Sequence, residues 1–183
     1  MALTRAQVVA TAVRILRTYG LADLSMRRLA RELDVQPGAL YWHVASKQEL
    51  LVDVAAALLA EVPPPRDDLP PIEALSALAT ALHAALASVP DAADVVGMAY
   101  AAERGSPTAL RHLRDWVSRA GVSADSCEAV TDLVVHHVLG SVALEQNERQ
   151  VLAVDPKHVA RTAAEVAKSF EVGLGVILRG IES

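Results

Sequence analysis

Tyr41, Trp42 and His43 stand next to each other in a chain that contains only six aromatic residues. Neighbouring residues of a helix point about 100° apart, so two large rings cannot both face one narrow core stripe. At least one of these rings must therefore face something other than the core beneath it. The tyrosine hydroxyl, the imidazole and the ammonium group of nearby Lys47 can all donate hydrogen bonds to an anionic partner.

Positive charge is concentrated in the same part of the chain. Residues 1–50 carry seven Lys and Arg against four acidic residues, a net charge of +3, whereas the whole chain has a formal net charge of −5. The remaining residues therefore carry a net charge of −8. We infer a small basic module joined to an acidic body, with chance surface variation as the alternative.

Capping signals predict four helices in the basic part. Thr4 is followed by Gln7 at the spacing of a capping box, and Ser46 with Glu49 has the same spacing. Pro37 fits the first turn of a short helix, where no amide hydrogen is needed. The predicted helices run from Thr4 to Gly20, from Ser25 to Leu33, from Pro37 to about His43 and from Ser46 to about Leu59.

The segment EVPPPRDDLPP, Glu61 to Pro71, is the clearest boundary in the sequence, because five prolines in eleven residues cannot continue a helix. It predicts a helical head at 1–60, a linker at 61–71 and a helical body at 72–183. Further helix starts are predicted at Asp91, at Ser106-Pro107, at Ser123 (running to about Arg149) and at Asp155-Pro156. Since no strand alternation of useful length occurs, the predicted fold is all-α.

The stretch SMRRLARELDVQPGALYWHV has the pattern of a helix-turn-helix. Ala30 is small enough to let two helices cross closely, and Leu29, Leu33 and Leu40 can fill the space between them. Asp34 occupies the turn, where a short polar side chain tolerates left-handed backbone. The second helix of such a motif can enter the major groove of DNA, which is ~12 Å wide.

The longer stretch LADLSMRRLARELDVQPGALYWHVASKQELL resembles the N-terminal domain of the TetR family, and LYWHV followed by a lysine is most similar to its tetracycline-repressor branch. The later stretches HHVLGSVALEQ and FEVGLGVILRGIE are similar to the two helices that build the dimer bundle and close the pocket in that branch. The resemblance implies a three-helix helix-turn-helix head and a helical body that binds a ligand and dimerises.

The resemblance also implies which residues contact a double-stranded DNA operator. Base edges are read by a bidentate arginine and by the recognition helix, while the DNA backbone accepts hydrogen bonds from hydroxyl, imidazole and ammonium groups. The candidates for base reading are Arg27, Gln36 and Ala39, with Gly38 between the last two. The candidates for backbone contact are Tyr41, His43 and Lys47. Because the stretch QPGA departs from the recognition helix of the tetracycline repressor, the operator sequence does not carry over.

Three neighbouring side chains receive other roles. Trp42 is expected to pack against the first and fourth helices and so to hold the recognition helix in place. Arg28 and Arg31 are expected to be solvated surface charges rather than base readers. Packing remains the alternative role for Tyr41.

In the body, the resemblance implies a small-molecule effector. Its candidate contacts, a few polar or aromatic groups among many Ala, Val and Leu residues, are Met98, Tyr100, Trp116, Asp132 and His136. The tetracycline repressor takes its drug with magnesium. Here Leu144 stands where that site has an acidic residue, and no histidine clearly matches the direct metal ligand. We therefore expect a mostly apolar ligand, no metal site and no cofactor.

The last segment predicts a homodimer. Its apolar residues recur at helical spacing: Val166, Phe170, Leu174, Ile177 and Ile181. A glycine inside a helix costs roughly 1 kcal/mol relative to alanine, so Gly173, Gly175 and Gly180 suggest the close approach of a partner helix. With the long helix from Ser123, this segment is expected to form a four-helix bundle between subunits. The alternative is an ordinary buried helix of a monomer.

The remaining features narrow the functional class. A single cysteine, Cys127, allows no internal disulfide. The first residues lack a signal-peptide pattern, and no window approaches the ~18 uncharged apolar residues that would span a bilayer. We expect a cytoplasmic protein without a membrane partner. The absence of a glycine-rich phosphate loop, of a nucleophile elbow and of paired metal-ligand spacing argues against an enzyme.

Together, these patterns predict an all-helical homodimeric transcriptional regulator, a repressor that a small, mostly apolar ligand releases from a palindromic operator. A ligand-independent or activating DNA-binding regulator is the first alternative, and a small helical enzyme is the second.

Overall fold

The computed structural model describes residues 3–102, 108–155, 157, 159 and 161–182. Within these residues the chain forms helices and no strands, so the predicted all-α fold is confirmed. The helices are α1 (Arg5–Tyr19), α2 (Met26–Glu32), α3 (Pro37–Leu40), α4 (Lys47–Leu59), α5 (Pro71–Ala87), α6 (Ala92–Ala102), α7 (Thr108–Arg119), α8 (Ala124–Val154) and α9 (Ala163–Glu182).

Helices α1 to α4 build the head around an aliphatic core. Fully buried leucines from all four helices belong to one cluster: Leu16, Leu29, Leu40 and Leu50. Thr4 and Gln7 form the predicted capping box at the start of α1. In the turn between α2 and α3, Asp34 adopts a φ of 53°, which its short polar side chain tolerates. The local signals therefore place α2 and α3 as the sequence predicts.

Two helix ends differ from the prediction. α3 ends at Leu40 rather than near His43, because the His43 and Val44 N–H groups both donate to the Leu40 carbonyl and close a turn there. α8 continues past Arg149 to Val154, since no proline or glycine stands between Arg149 and Asp155. The predicted helix starts at Ser106-Pro107 and at Pro156 lie outside the described residues.

The proline-rich segment is tied to the helices on both sides of it. Val62 is buried in the common core. Glu61 pairs with Arg17 of α1 at 2.6 Å, and Asp67 lies 3.3 Å from Arg119 of α7. α5 begins at Pro71, at the end of the segment. The division into 1–60, 61–71 and 72–183 stays a prediction.

The body is built around α5 and α8. α5 packs against α7 and α8, and α8 also contacts α6, α7 and α9. α9 is attached to the body through Phe170, Leu174 and Leu178, which are buried. α4 of the head packs closely against α6 of the body. A helix pair therefore joins head and body, in addition to the linker.

α8 is long and apolar enough to cross a membrane by length and composition, with a mean hydropathy of 1.3 in its most apolar window. The helix nevertheless carries Asp132, His137 and Glu145. It also packs against α5, α6, α7 and α9. These contacts are those of the core helix of a folded body.

Candidate functional site

One surface of the head presents polar side chains from α2 and α3 to solvent. Arg27 of α2 is exposed and forms no ion pair with any described residue. Gln36, just before α3, and Gly38 are exposed, and Ala39 is half-buried. The Gln36 side chain makes no capping hydrogen bond. These groups are therefore available to a partner that approaches the start of α3.

The turn after α3 carries Tyr41, Trp42 and His43, and the first two of these side chains point outward. Leu40 and Val44 are buried, whereas Tyr41 is 53% exposed, Trp42 is 89% exposed and His43 is half-buried. The expected packing of Trp42 against α1 and α4 is wrong. Because α3 stops at Leu40, the turn packs on the core through Leu40 and Val44. The rings of Tyr41 and Trp42, which lie between these two residues, are left facing solvent.

Arg5 of α1 holds this turn against α4. Its guanidinium donates to Asp53 Oδ2 at 2.8 Å and to the His43 backbone oxygen at 3.1 Å. It also lies 2.7 Å from Glu49 Oε1. Glu49 in turn accepts the Ala45 N–H at 2.7 Å. We call Arg5, Glu49 and Asp53 the Arg5 clamp, and it fixes the backbone that carries His43.

The charges of the Arg5 clamp reinforce one another. The Ala45 N–H, followed by the Arg5 guanidinium, lowers the pKa of the Glu49 carboxyl. The hydrogen bonds from Arg5 to Asp53 and Glu49 raise the pKa of the guanidinium. Both shifts favour the ionised forms of Arg5 and Glu49. Because the clamp lies at the surface, salt will screen its attraction.

Lys47 is the first residue of α4. Ser46 caps the helix, since its hydroxyl oxygen accepts the Glu49 N–H at 3.1 Å. The Lys47 side chain is half-buried and has no ion pair with a described residue. The first turn of a helix carries positive partial charge on its N–H groups, which favours a bound phosphate. Lys47 and the start of α4 can therefore act together on one anion.

Arg28 and Arg31 lie in different environments. Arg28 pairs with Asp23, and its guanidinium lies 3.8 Å from the centroid of the Tyr19 ring. Its side chain is only 17% exposed. The expectation that Arg28 is a solvated charge is therefore wrong, because Tyr19 and Asp23 hold it within the head. Arg31 is exposed, as expected.

Sequence reasoning did not identify the Arg5 clamp. Glu49 and Asp53 are four residues apart and so share one face of α4. Two carboxylates on one face are a signal that could have predicted a cation partner there. This signal does not indicate that the partner is Arg5, because the pairing depends on how α1 and α4 pack.

The candidate ligand contacts in the body lie in several places. Tyr100 donates a short hydrogen bond to Asp132, which joins α6 to α8. Trp116 is buried, with the Arg119 guanidinium 4.4 Å from its ring centroid. Met98 and His136 are exposed. The structure thus joins Tyr100 to Asp132 by a hydrogen bond, and a ligand role for the five stays a prediction.

An apolar cavity lies between α4, α5, α6, α7 and α8. Its lining consists only of leucine and valine: Leu59, Leu82, Leu86, Val96, Leu110, Leu113, Val135, Val138 and Leu139. Its volume is about 10 Å³, close to the ~10–15 Å³ that a single water needs. None of the five candidate contacts lines it. In this conformation the cavity is closed to any organic ligand.

A wider groove lies on the outside of α6 and α8. It has a volume of about 470 Å³, and small residues form most of its floor. Met98 and Leu139 line it together with Gly97 and Gly140. The groove is open to solvent, so it differs from the closed cavity beneath α6.

Three rings form a stack where α5, α8 and α9 meet. The Phe170 ring lies 4.1 Å from His83 and 5.1 Å from His137, measured between centroids. His137 Nε2 donates to the Phe170 backbone oxygen at 3.0 Å. His83 Nε2 is buried without a hydrogen-bond partner and lies 3.7 Å from Glu145. Among the described residues, no three His, Cys, Asp or Glu side chains are placed to hold a metal ion.

Gly173 is explained by this stack. A Cβ at Gly173 would collide with the His137 ring of the same chain. The inference that Gly173 admits a partner helix is therefore wrong, because α8 of its own chain fills the space. At Gly175, an added Cβ would lie 3.4 Å from the flexible end of Arg179.

Apolar side chains remain exposed along α8 and α9. They are Leu133, Leu144, Val151 and Val154 of α8, and Val172 and Val176 of α9. Leu144, Val172 and Val176 are each more than half exposed. Within the described residues of this single chain, nothing covers them.

Comparisons with known proteins agree with this geometry. The family model described as bacterial regulatory proteins, tetR family, matches residues 8–54. The tetracycline repressor protein class C of Escherichia coli is 31% identical over 199 residues, covering 98% of this chain and 91% of that protein.

Two solved structures match nearly the whole chain. The crystal structure of BioQ with its natural double-stranded DNA operator has a TM-score of 0.84 and 36% sequence identity, covering 100% of this chain and 99% of that one. A TetR variant from Acinetobacter baumannii AYE in complex with minocycline has a TM-score of 0.82 and 26% identity, covering 99% of this chain and 97% of that one.

Proposed function

The chain belongs to the TetR family of bacterial regulatory proteins, and we propose that it is a homodimeric repressor which a small, mostly apolar ligand releases from a palindromic operator. DNA-binding regulation is common to this family. The finer assignment rests on the exposed surface of Arg27, α3 and the turn after it. The structure of BioQ with its double-stranded DNA operator, a chain similar to this one over its full length, supports a DNA-binding role for this chain.

Each part of this surface has a distinct task in binding DNA. Arg27 and the start of α3 face the base edges, where an arginine can bond guanine at two atoms. Tyr41, His43 and Lys47 contact the DNA backbone, which sets affinity and register rather than sequence preference. Because the Arg5 clamp holds the turn in place, these contacts need little reorganisation on binding.

Selection of bound duplexes from a random pool tests the DNA-reading role. Wild type should enrich a palindromic site. Arg27→Ala should relax the preference at one base of each half-site, worth about 1–3 kcal/mol. Arg31→Ala is the matched control, because Arg31 is exposed on the same helix and is not assigned to a base. Enrichment of no sequence by wild type would refute the proposal.

The dimer is supported by the exposed apolar side chains of α8 and α9. Val172 and Val176 are 58% and 56% exposed, and Leu144 of α8 is 58% exposed. Rows of such residues on adjacent helices suit a bundle between two copies. Val176→Asp should shift the mass in sedimentation equilibrium from dimer to monomer and abolish cooperative binding to the palindrome.

The effector would act through the aliphatic cavity. A ligand can release DNA only if it binds the DNA-incompetent state more tightly. Since the cavity holds only about 10 Å³, a ligand must move α6 or α7 to enter. α6 packs against α4 of the head, so that movement would reach the DNA-binding surface. A similar chain that was solved in complex with minocycline supports a small-molecule effector for this one.

The closed cavity also favours a second candidate, a regulator that needs no ligand. Titrating preformed complexes with apolar molecules of increasing size separates the two. Saturable release that Val96→Ile weakens, by adding one methylene to the cavity lining, supports the effector. Lack of release by every compound, with wild type and Val96→Ile binding DNA equally well, supports the ligand-independent regulator. Either regulator would act in the cytoplasm, where bacterial DNA lies.

A further inference from the structure

The head and the body make a polar contact besides the packing of α4 on α6. Asp91, in the loop between α5 and α6, reaches the loop between α1 and α2. Its Oδ2 accepts the Leu21 N–H at 2.7 Å, in a half-buried position. Its Oδ1 lies 3.4 Å from the amide nitrogen of Gln150 on α8. One carboxylate therefore contacts both the head and the central helix of the body.

The backbone on both sides is shaped for this contact. Gly20 has a φ of 79°, and a Cβ there would lie 2.6 Å from Asp91 Oδ2. Only glycine therefore leaves room for the carboxylate. Asp91 itself has a φ of 56°, an uncommon conformation for a residue other than glycine. The unfavourable backbone of Asp91, placed against a glycine that leaves room for its carboxylate, indicates that the contact itself is used.

The loop that carries Asp91 is anchored to α8. Gln146 donates to the Leu86 and Val89 backbone oxygens at 3.2 and 2.7 Å. Arg149 donates to the Ala87 backbone oxygen at 2.8 Å. Gln146, Arg149 and Gln150 share one face of α8, because they are separated by three and four residues. Polar contacts therefore run without a break from α8 through the loop to the head.

We propose that Asp91 is a positioning residue that sets the angle of the head relative to α8 and thereby selects the spacing between the two half-sites of the operator. α4 is the helix of the head that packs on α6, and it also contacts α5 and α7 of the body. The hydrogen bond at Leu21 attaches a second part of the head, the loop between α1 and α2, and so limits rotation of the head about α4. The inference rests on the proposed dimer, because α8 forms part of the proposed subunit interface and spacing has meaning only for two heads.

Binding to a set of duplexes with identical half-sites tests this role. The spacing in the set is shortened or lengthened in single base-pair steps around the one that wild type selects. Asp91→Ala removes the acceptor and leaves the Leu21 N–H unpaired. Asp91→Asn keeps an oxygen acceptor and tolerates the positive φ. Asp94→Ala is the matched control, because it removes the same charge from an exposed position on α6.

In Asp91→Ala, discrimination between the preferred spacing and its neighbours should fall roughly tenfold, the scale of one hydrogen bond to a charged acceptor. The base preference within each half-site should not change. Asp91→Asn and Asp94→Ala should keep the spacing profile of wild type. A folded Asp91→Ala protein with the wild-type spacing profile overturns the proposal. If that variant does not fold, Gly20→Ala disturbs the same contact from the head, and an unchanged profile there also overturns it.

Amide hydrogen exchange gives a readout that needs no DNA. The Leu21 N–H should be protected in wild type and in Asp91→Asn, and should exchange at least about tenfold faster in Asp91→Ala. Equal protection of the Leu21 N–H in Asp91→Ala and in wild type would contradict the hydrogen bond between Asp91 and Leu21. If wild type selects no palindrome, the proposed function fails. The exchange rate of the Leu21 N–H still shows, independently of DNA, whether Asp91 attaches the head to the body.

Discussion

Arg5 donates a hydrogen bond of 3.1 Å to the backbone oxygen of His43, although 38 positions separate the two residues in the chain. The same guanidinium is held by Glu49 and Asp53 of α4. A cation near the N-terminus thereby fixes the turn that carries the proposed contacts to the DNA backbone. We therefore expect Arg5 to act as a positioning residue for DNA binding.

Arg5→Ala should weaken DNA binding by loosening the turn at His43, while the preferred operator sequence stays the same. The effect on stability should be small, because the ion pairs are exposed. Titration of labelled operator at two salt concentrations measures the affinity. Arg14→Ala is the control, because Arg14 forms a similar exposed pair with Glu32 at 2.9 Å. Equal affinity losses in both variants would show that the Arg5 clamp has no special role.

Trp42→Ala should leave folding intact. It should also reduce operator affinity, because the exposed ring lies in the same turn as Tyr41 and His43, the proposed contacts to the DNA backbone. The side chain is 89% exposed, so the free energy of unfolding should change by less than about 0.5 kcal/mol. Trp116→Ala provides the contrast, because Trp116 is buried in the body and its loss should cost about 3–5 kcal/mol. Urea unfolding and operator binding measure the two effects. A large loss of stability in Trp42→Ala would restore the packing role.

Gly173→Ala should destabilise the protein, although alanine is the better helix former by about 1 kcal/mol. The new Cβ would collide with the His137 ring, and overpacking of this kind typically costs about 1–3 kcal/mol. His137→Ala should remove the obstacle. The loss of stability in the double variant should therefore be smaller than the sum of the losses in the two single variants. Strict additivity in urea unfolding would contradict the contact.

Acid should destabilise the junction of α5, α8 and α9 through His83. Burial lowers the pKa of His83, Glu145 opposes that shift, and His137 and Arg149 add to it. The unfolded chain therefore takes up the proton at a higher pH than the folded protein does. This stabilisation is complete above the unfolded pKa of about 6.5 and is lost as the pH falls below it.

His83→Leu should remove this part of the pH dependence. Melting temperatures between pH 5 and pH 8 should then fall less steeply toward acid than in wild type. His136→Gln is the control, because His136 lies on α8, one of the helices of this junction, but is exposed. This variant should keep the wild-type dependence of melting temperature on pH. A wild-type slope in His83→Leu would assign the acid sensitivity to other groups.

Local signals were sufficient for most of the head. Thr4, Ser25 and Ser46 cap the helices that the sequence predicts, and Asp34 takes the left-handed turn conformation. These features depend on residues within a few positions of one another. The exposed surface of Arg27 and Gln36 follows from the same short-range pattern.

Other features needed the packing of distant segments. Trp42 faces solvent because α3 ends early and Leu40 and Val44 fill the core. Gly173 faces His137 of its own chain rather than a partner helix. Whether the aliphatic cavity is open depends on how five helices meet, and no spacing in the sequence reports its volume.

By itself, the sequence determined the helical class and the helix-turn-helix, because periodicity, caps and turn residues act over a few positions of the chain. The groups that face DNA stay a prediction from the same pattern. Only the tertiary structure decided that Arg5 holds the turn at His43, that Asp91 joins the head to α8 and that the cavity is closed. Those contacts join residues tens of positions apart. They form only when helix packing sets the distances between side chains. These distances cannot be predicted from the spacing of residues along the chain.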